Sequence, residues 1–215
     1  LYTILVHHKW NEVLSRSKDY IELKRLIRNK NLDLEAIAEW CNNFYVLKGF
    51  IGTKIQVQNF FKKDKTKARE LIRKLIGENP PDANKINLFI KESVQLAFHD
   101  KKMRAKQDNA ALFASVLLTA VFPDNFVDFR QNRWNYMAKI FKLRPMPENT
   151  HYGEKLIWAG QIAKEFAGKR TFKKFLKQKN VKDNWVVAGL AWLLPKEFEK
   201  EIREVFSELK VSMAI

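Results

Sequence analysis

Two arginines and two lysine-rich runs are the residues of this chain whose type and spacing suggest chemistry. Arg130 and Arg133 lie in FVDFRQNRWNYMAKIFK, residues 126–142. Plotted as a helix at ~100° per residue, this stretch puts Phe126, Phe129, Trp134, Met137, Ile140 and Phe141 on one side. Asp128, Gln131, Asn132, Asn135 and Lys139 fall on the other, and the two arginines project from within the apolar arc. A guanidinium there needs a carboxylate or a phosphate, because an unpaired buried charge is too costly to keep. The sequence does not name that partner: the arginines either hold the Pro123–Asp124 turn through a carboxylate, which makes Arg130 and Asp124 the candidate structural or phosphate-pairing residues, or reach a nucleic-acid phosphate.

The lysine runs point to the same ligand class. Lys101, Lys102, Arg104 and Lys106 form one, and Lys169, Arg170, Lys173, Lys174, Lys177 and Lys179 the other. The net charge of the chain is +16, and residues 101–182 hold 18 Lys or Arg against 6 Asp or Glu, a net of +12. Positive charge gathered in one region is the electrostatic footprint of a nucleic-acid binder rather than of a merely soluble surface. Arg133 and Tyr136 join these lysines as candidate nucleic-acid contacts, Tyr136 because it sits at the edge of its apolar arc and could stack on a base. A basic helix over Lys62–Gly77 is either a solvated face or a further phosphate-contacting edge.

The sequence offers no catalytic constellation. It has no GxxxxGK[ST] loop and no GxGxxG after a strand. His7 and His8 are adjacent and diverge on a helix, while His99 and His151 lack acidic or thiol neighbours, so no zinc or other metal site is expected. Pro123–Asp124 could begin a nuclease PD…(D/E)xK pattern, but that pattern needs a strand and the surroundings read as helical. No cofactor is implied. Cys41, the one cysteine, excludes an internal disulfide, suits a reducing compartment and reads as a packed thiol. No apolar run is long enough to span a bilayer. A cytoplasmic protein without membrane contact is expected, and the start at Leu1 suggests a piece of a longer one.

The elements that must position these residues read as helices throughout. Hydrophobic residues make up 46% of 215, with only 7 glycines and 6 prolines, too few for an all-β fold. An all-α, multi-helix globular bundle of roughly nine to eleven helices follows from the periodicity. Two helices, AALFASVLLTAVF from Ala110 and NWVVAGLAWLL after Asp183, are apolar all round and should be central. Asn31 and Asp33 are plausible caps of one helix and Asp82 of a later one, and Asp108 or Asn109 should cap the helix from Ala110. Pro80–Pro81 is the clearest break, dividing residues 1–79, an N-terminal helical subdomain, from 80–215, the main body with the basic surface.

Ser115-Val-Leu-Leu-Thr-Ala-Val-Phe-Pro-Asp-Asn-Phe-Val-Asp-Phe-Arg-Gln-Asn-Arg-Trp134 and Val181–Leu194 resemble the helical N-terminal modules of McrB-like AAA+ GTPases from modification-dependent restriction systems. The resemblance covers about a third of the chain. It implies a non-catalytic DNA-binding specificity domain of a restriction or antiviral defence protein, acting on DNA that can be modified. GTP hydrolysis and cleavage would then belong to a GTPase motor and a nuclease subunit, fused or assembled. A helical scaffold is also similar to helix-hairpin-helix glycosylases, but the Leu-Pro-Gly-x-Gly hairpin and its aspartate are missing. Two other classes compete: a protein-interaction or oligomerisation module docking an acidic partner, and an RNA-binding helical domain.

Overall fold

The computed structural model describes residues 10–44, 51–97, 106–168 and 177, and among them it contains eight α-helices and no strand. In chain order these are α1 (Trp10–Arg28), α2 (Leu34–Asn43), α3 (Ile51–Lys63) and α4 (Lys65–Leu75), then α5 (Ala83–Ala97), α6 (Lys106–Val121), α7 (Gln131–Ile140) and α8 (Tyr152–Gly168). The all-α class is as expected. The expected second central helix, from Asp183, lies outside the described residues, and of the second lysine run only the exposed, helical Lys177 is described.

Local chemistry starts and stops these helices. Asp33 caps α2, accepting from the Glu35 and Ala36 N–H groups at 3.1 Å. Asp82 likewise accepts from the Lys85 N–H at 2.8 Å. The basic stretch 62–77 is not one helix. Asp64 breaks it, with φ −149°, and caps α4 through the Lys67 N–H at 2.9 Å. An Asp side chain competes for backbone donors and so favours a cap over a helix interior. A second correction concerns α6, which begins at Lys106, so Asp108 is inside its first turn rather than its cap.

α6 is the axis of the core. Every residue from Ala110 to Val121 is buried, as an all-round apolar helix requires. α5 packs against α3, α4, α6 and α8, while α1 lies on α6. Phe113 of α6 joins the helices around it: its ring centroid is 5.2 Å from Phe60, 5.8 Å from Phe61 and 6.1 Å from Phe89. Such aromatic pairs are each worth ~0.5–1.5 kcal/mol beyond area burial. The buried cluster runs from Tyr20 to Phe166 without interruption across the 79/80 boundary. Among the described residues no helix is long and apolar enough to cross a membrane.

Two glycines set how closely α8 approaches its neighbours. A Cβ on Gly160 would lie 1.8 Å from the Asn125 carbonyl oxygen, and one on Gly153 would lie 2.3 Å from that of Ala83. Both obstacles are backbone and cannot swing aside. Gly160→Ala is therefore expected to destabilise the protein by ~3 kcal/mol or more, at the upper end of overpacking effects. Gly77, where a Cβ would meet nothing within 4 Å, is the control: Gly77→Ala should cost nothing, or stabilise by up to ~1 kcal/mol through the unfolded chain. Urea denaturation of the two variants measures the contrast.

Candidate nucleic-acid interface

The segment between α6 and α8 departs from the sequence expectation in register. Residues 126–142 do not form one helix. Phe126–Phe129 is non-helical and buried, and α7 starts only at Gln131, with Arg130 (φ −130°, ψ 110°) as its N-cap residue. Four consecutive residues, Phe126, Val127, Asp128 and Phe129, are buried, so the face assignment made for a helix does not apply to them. Asp128, placed on the polar side by that plot, is only 5% exposed.

Backbone groups of this buried stretch find partners on neighbouring side chains. Ser115 Oγ, inside α6, accepts from the Phe129 N–H at 2.8 Å and itself donates to the Leu112 carbonyl at 2.7 Å. The indole N–H of Trp134 donates to the Asp128 carbonyl at 2.9 Å. These bonds fix where α7 begins, and with it the position of Arg130.

Arg130 and Arg133 are half-buried one turn apart. Burial, then the neighbouring Arg133 guanidinium, push Arg130 down to about 10, while Asp128 and Tyr20 pull the other way. It therefore stays charged at neutral pH. A carboxylate that acts on it is the buried Asp128, two residues before it, while Asp124 is exposed in the preceding turn. A carboxylate held inside the core can offset a buried cation far better than one screened by water. The clue in the sequence was the run Phe-Val-Asp-Phe, too apolar to leave the core and therefore able to carry its aspartate inward.

Of the other residues singled out, Lys106 is half-buried at the first position of α6, Tyr136 is half-buried on α7, and Lys177 is exposed. Lys101, Lys102, Arg104, Lys169, Arg170, Lys173, Lys174 and Lys179 lie outside the described residues. The basic helix α4 is largely committed elsewhere. Lys65 pairs with Glu35 at 2.7 Å, Lys67 with Glu92 at 2.7 Å and Lys74 with Glu70 at 2.6 Å. Its three lysines thus stand in ion pairs at the surface.

Two points on the described part bear on where the lysine runs attach. The Tyr152 hydroxyl, at the start of α8, donates to the Asp108 carboxylate in the first turn of α6. Burial and that carboxylate hold the phenol above its ordinary range. The first run thus enters α6 beside the N-terminus of α8, whereas the second leaves from Gly168, the far end of the same helix. At 1.5 Å per residue those two ends are ~24 Å apart.

A cleft of about 130 Å³ lies between Pro123, Asp124, Val127, Gly160, Ala163 and Lys164, well below the ~300 Å³ at which ligand pockets begin. Among the described residues no three His, Cys, Asp or Glu are grouped to hold a metal. Burial pushes the Cys41 thiol well above the usual range, so it is inert as a nucleophile. Trp134 and Trp158 are buried at 2% and 3% exposure, which removes both as stacking platforms for a base. The chain matches no protein-family model, no curated protein and no solved structure.

The Asp128 assignment gives a direct test. Asp128→Asn should lower stability by ~1–3 kcal/mol, as loss of a buried charge partner does. An unchanged midpoint in thermal or urea unfolding would show that Asp128 does not support the half-buried Arg130.

Proposed function

We propose that this chain is a non-catalytic DNA-binding domain that grips the duplex backbone through its two lysine-rich runs. The observation that carries the reading is where positive charge lies relative to acids. Residues 101–106 hold four cations and residues 169–179 hold six, with no Asp or Glu in either run. The α4 lysines, by contrast, are answered by Glu35, Glu70 and Glu92. Surface ion pairs of that kind leave little field to attract a polyanion, whereas a run with no acid of its own concentrates positive charge.

The geometry also suits a long ligand. Anchor points ~24 Å apart along α8 correspond to roughly seven base pairs at 3.4 Å each, so a duplex could engage both runs while a small anion could not. The resemblance to McrB-like modules extends the proposal to a restriction or defence protein of the cytoplasm. There this domain would supply DNA specificity and other domains or subunits GTP hydrolysis and cleavage. The residues behind that likeness, Ser115–Val121 above all, are core. They support the scaffold, and the charge distribution supports the ligand.

Binding of a short duplex, measured at two salt concentrations, tests the reading. Log affinity should fall linearly with log salt, with a slope of about −0.9 per phosphate engaged. Replacing Lys173, Lys174 and Lys177 together by Gln should flatten that slope by about two to three units, while the same change at Lys65, Lys67 and Lys74 should leave it as it was. No binding at low salt, or binding without a salt slope, would favour an acidic protein partner instead.

A further inference from the structure

Between Phe129 and Pro147 the chain carries Arg130, Arg133, Lys139, Lys142 and Arg144 and not one Asp or Glu. α7 lies within this acid-free stretch. Its inward face is Trp134, Met137 and Ala138, all buried. Its outward face is Gln131, Asn132, Asn135 and Lys139, of which Asn132 and Lys139 are exposed and the other two half-buried. On a helix these four positions fall within one arc of ~100°. Three carboxamides and a lysine on one exposed arc, with no acid on the helix, make an unusual surface for a helix that merely faces water, where mixed charge signs are the rule.

We infer that α7 is the base-reading helix of the domain, entering the major groove of duplex DNA with Gln131, Asn132 and Asn135 towards the base edges. This rests on the DNA-binding reading and adds the residues that would give it specificity. The chemistry of the face fits the groove. A carboxamide can donate to and accept from adenine N7 and N6 together, a bidentate match that phosphate-directed lysines lack. The three carboxamides occupy the first two turns of the helix, the part that reading helices commonly present to base edges. Lys139 follows on the same arc and the exposed Lys142 just beyond the helix end, both available to flanking phosphates. With ten residues, α7 is ~15 Å long, enough to cross the ~12 Å major groove.

The way α7 is held supports a positioning role. At its front the Trp134 indole is tied to the Asp128 carbonyl, and behind it Phe141 packs on Phe166 of α8 at 4.8 Å between ring centroids. A reading surface needs such a rigid seat. Lys142 occupies the left-handed C-terminal position of the helix, φ 49°, with the Leu143 N–H donating to the Ala138 carbonyl at 2.8 Å. Glycine is the strain-free residue there, so a lysine is kept against local preference. The same face argues against duplex RNA, whose major groove is too narrow to admit a helix.

The experiment selects duplexes from a library with a randomised central segment, using the whole chain, and repeats the selection with Asn132→Ala/Asn135→Ala. The chain should enrich a preferred pattern of three to four base pairs, and the double variant should lose it, with discrimination falling ~5–100-fold. Affinity for unselected duplex and its salt slope should barely move. Lys142→Gly, which relieves the strained position and so keeps the fold, should instead weaken binding to every sequence and flatten the salt slope by about one unit. If the chain binds duplex with a salt slope but selects no pattern, or if the double variant keeps the pattern, α7 does not read bases and DNA binding still stands. If structured RNA displaces the duplex at equal phosphate concentration, the groove assignment is wrong. Failure of the chain to bind any duplex removes both proposals.

Discussion

A non-helical backbone inside a helical core must find hydrogen-bond partners without a sheet or water to supply them, and the geometry around Phe126–Phe129 follows from that constraint. An orphaned buried N–H costs ~1–3 kcal/mol. Ser115 answers it for Phe129, and can do so because the hydroxyl already satisfies its own donor on the Leu112 carbonyl. A hydroxyl in the middle of an apolar helix is usually a mild liability. Here it is the point at which the next segment is registered. Gly160 supplies the matching concession on the other side, bringing α8 close enough for the Asn125 carbonyl to sit where a Cβ would otherwise be. Everything downstream, from the buried Asp128 to the direction of α7, inherits its placement from these two small residues.

This also explains why some of the site could be read from the sequence and some could not. α6 was legible, since a run of apolar residues with no polar face can only be central, and Ala110–Val121 is buried throughout. The caps at Asp33 and Asp82 were legible because a short acceptor side chain before an apolar period has one favoured use. The break at Asp64 carried the same signal, but the lysines around it read as a continuous basic helix and masked it. Residues 126–130 misled for a different reason. Periodicity assumes a regular helix, and a segment buried on both sides has no polar face from which to detect the error. Phase was therefore assigned from Trp134 onward and carried back through residues that do not share it. The influence of Asp128 on Arg130 was lost with that phase, because Asp128 seemed to point to solvent.

The aromatic residues show the same limit in another form. Trp134 and Trp158 carry rings that could stack on bases or pack a core, and both are core with their indole N–H groups satisfied, by the Asp128 and Arg144 carbonyls. Composition cannot separate the two uses, because the same large ring serves both. What does separate them is whether the polar edge has a local carbonyl to bond. That is settled by tertiary placement.

Charge placement, rather than charge total, is what ties the fold to its proposed ligand. A net of +16 spread evenly would serve solubility and little else. In this chain acids are interleaved with bases on α4 and across to α5, where they hold helices together, and they are absent from 101–106, from 129–147 and from 169–179. Three acid-free stretches in one sequence differ in kind. The first and third are rich in lysine, a compact point charge suited to phosphates of any sequence. The second mixes guanidinium and carboxamide groups, whose planar donor and acceptor patterns can match particular base edges. Non-specific grip and specific reading require different functional groups on different supports, and reading demands the more rigid one. The carboxamides stand on the helix whose start is fixed by Ser115 and Trp134, which is where a requirement for fixed geometry would put them.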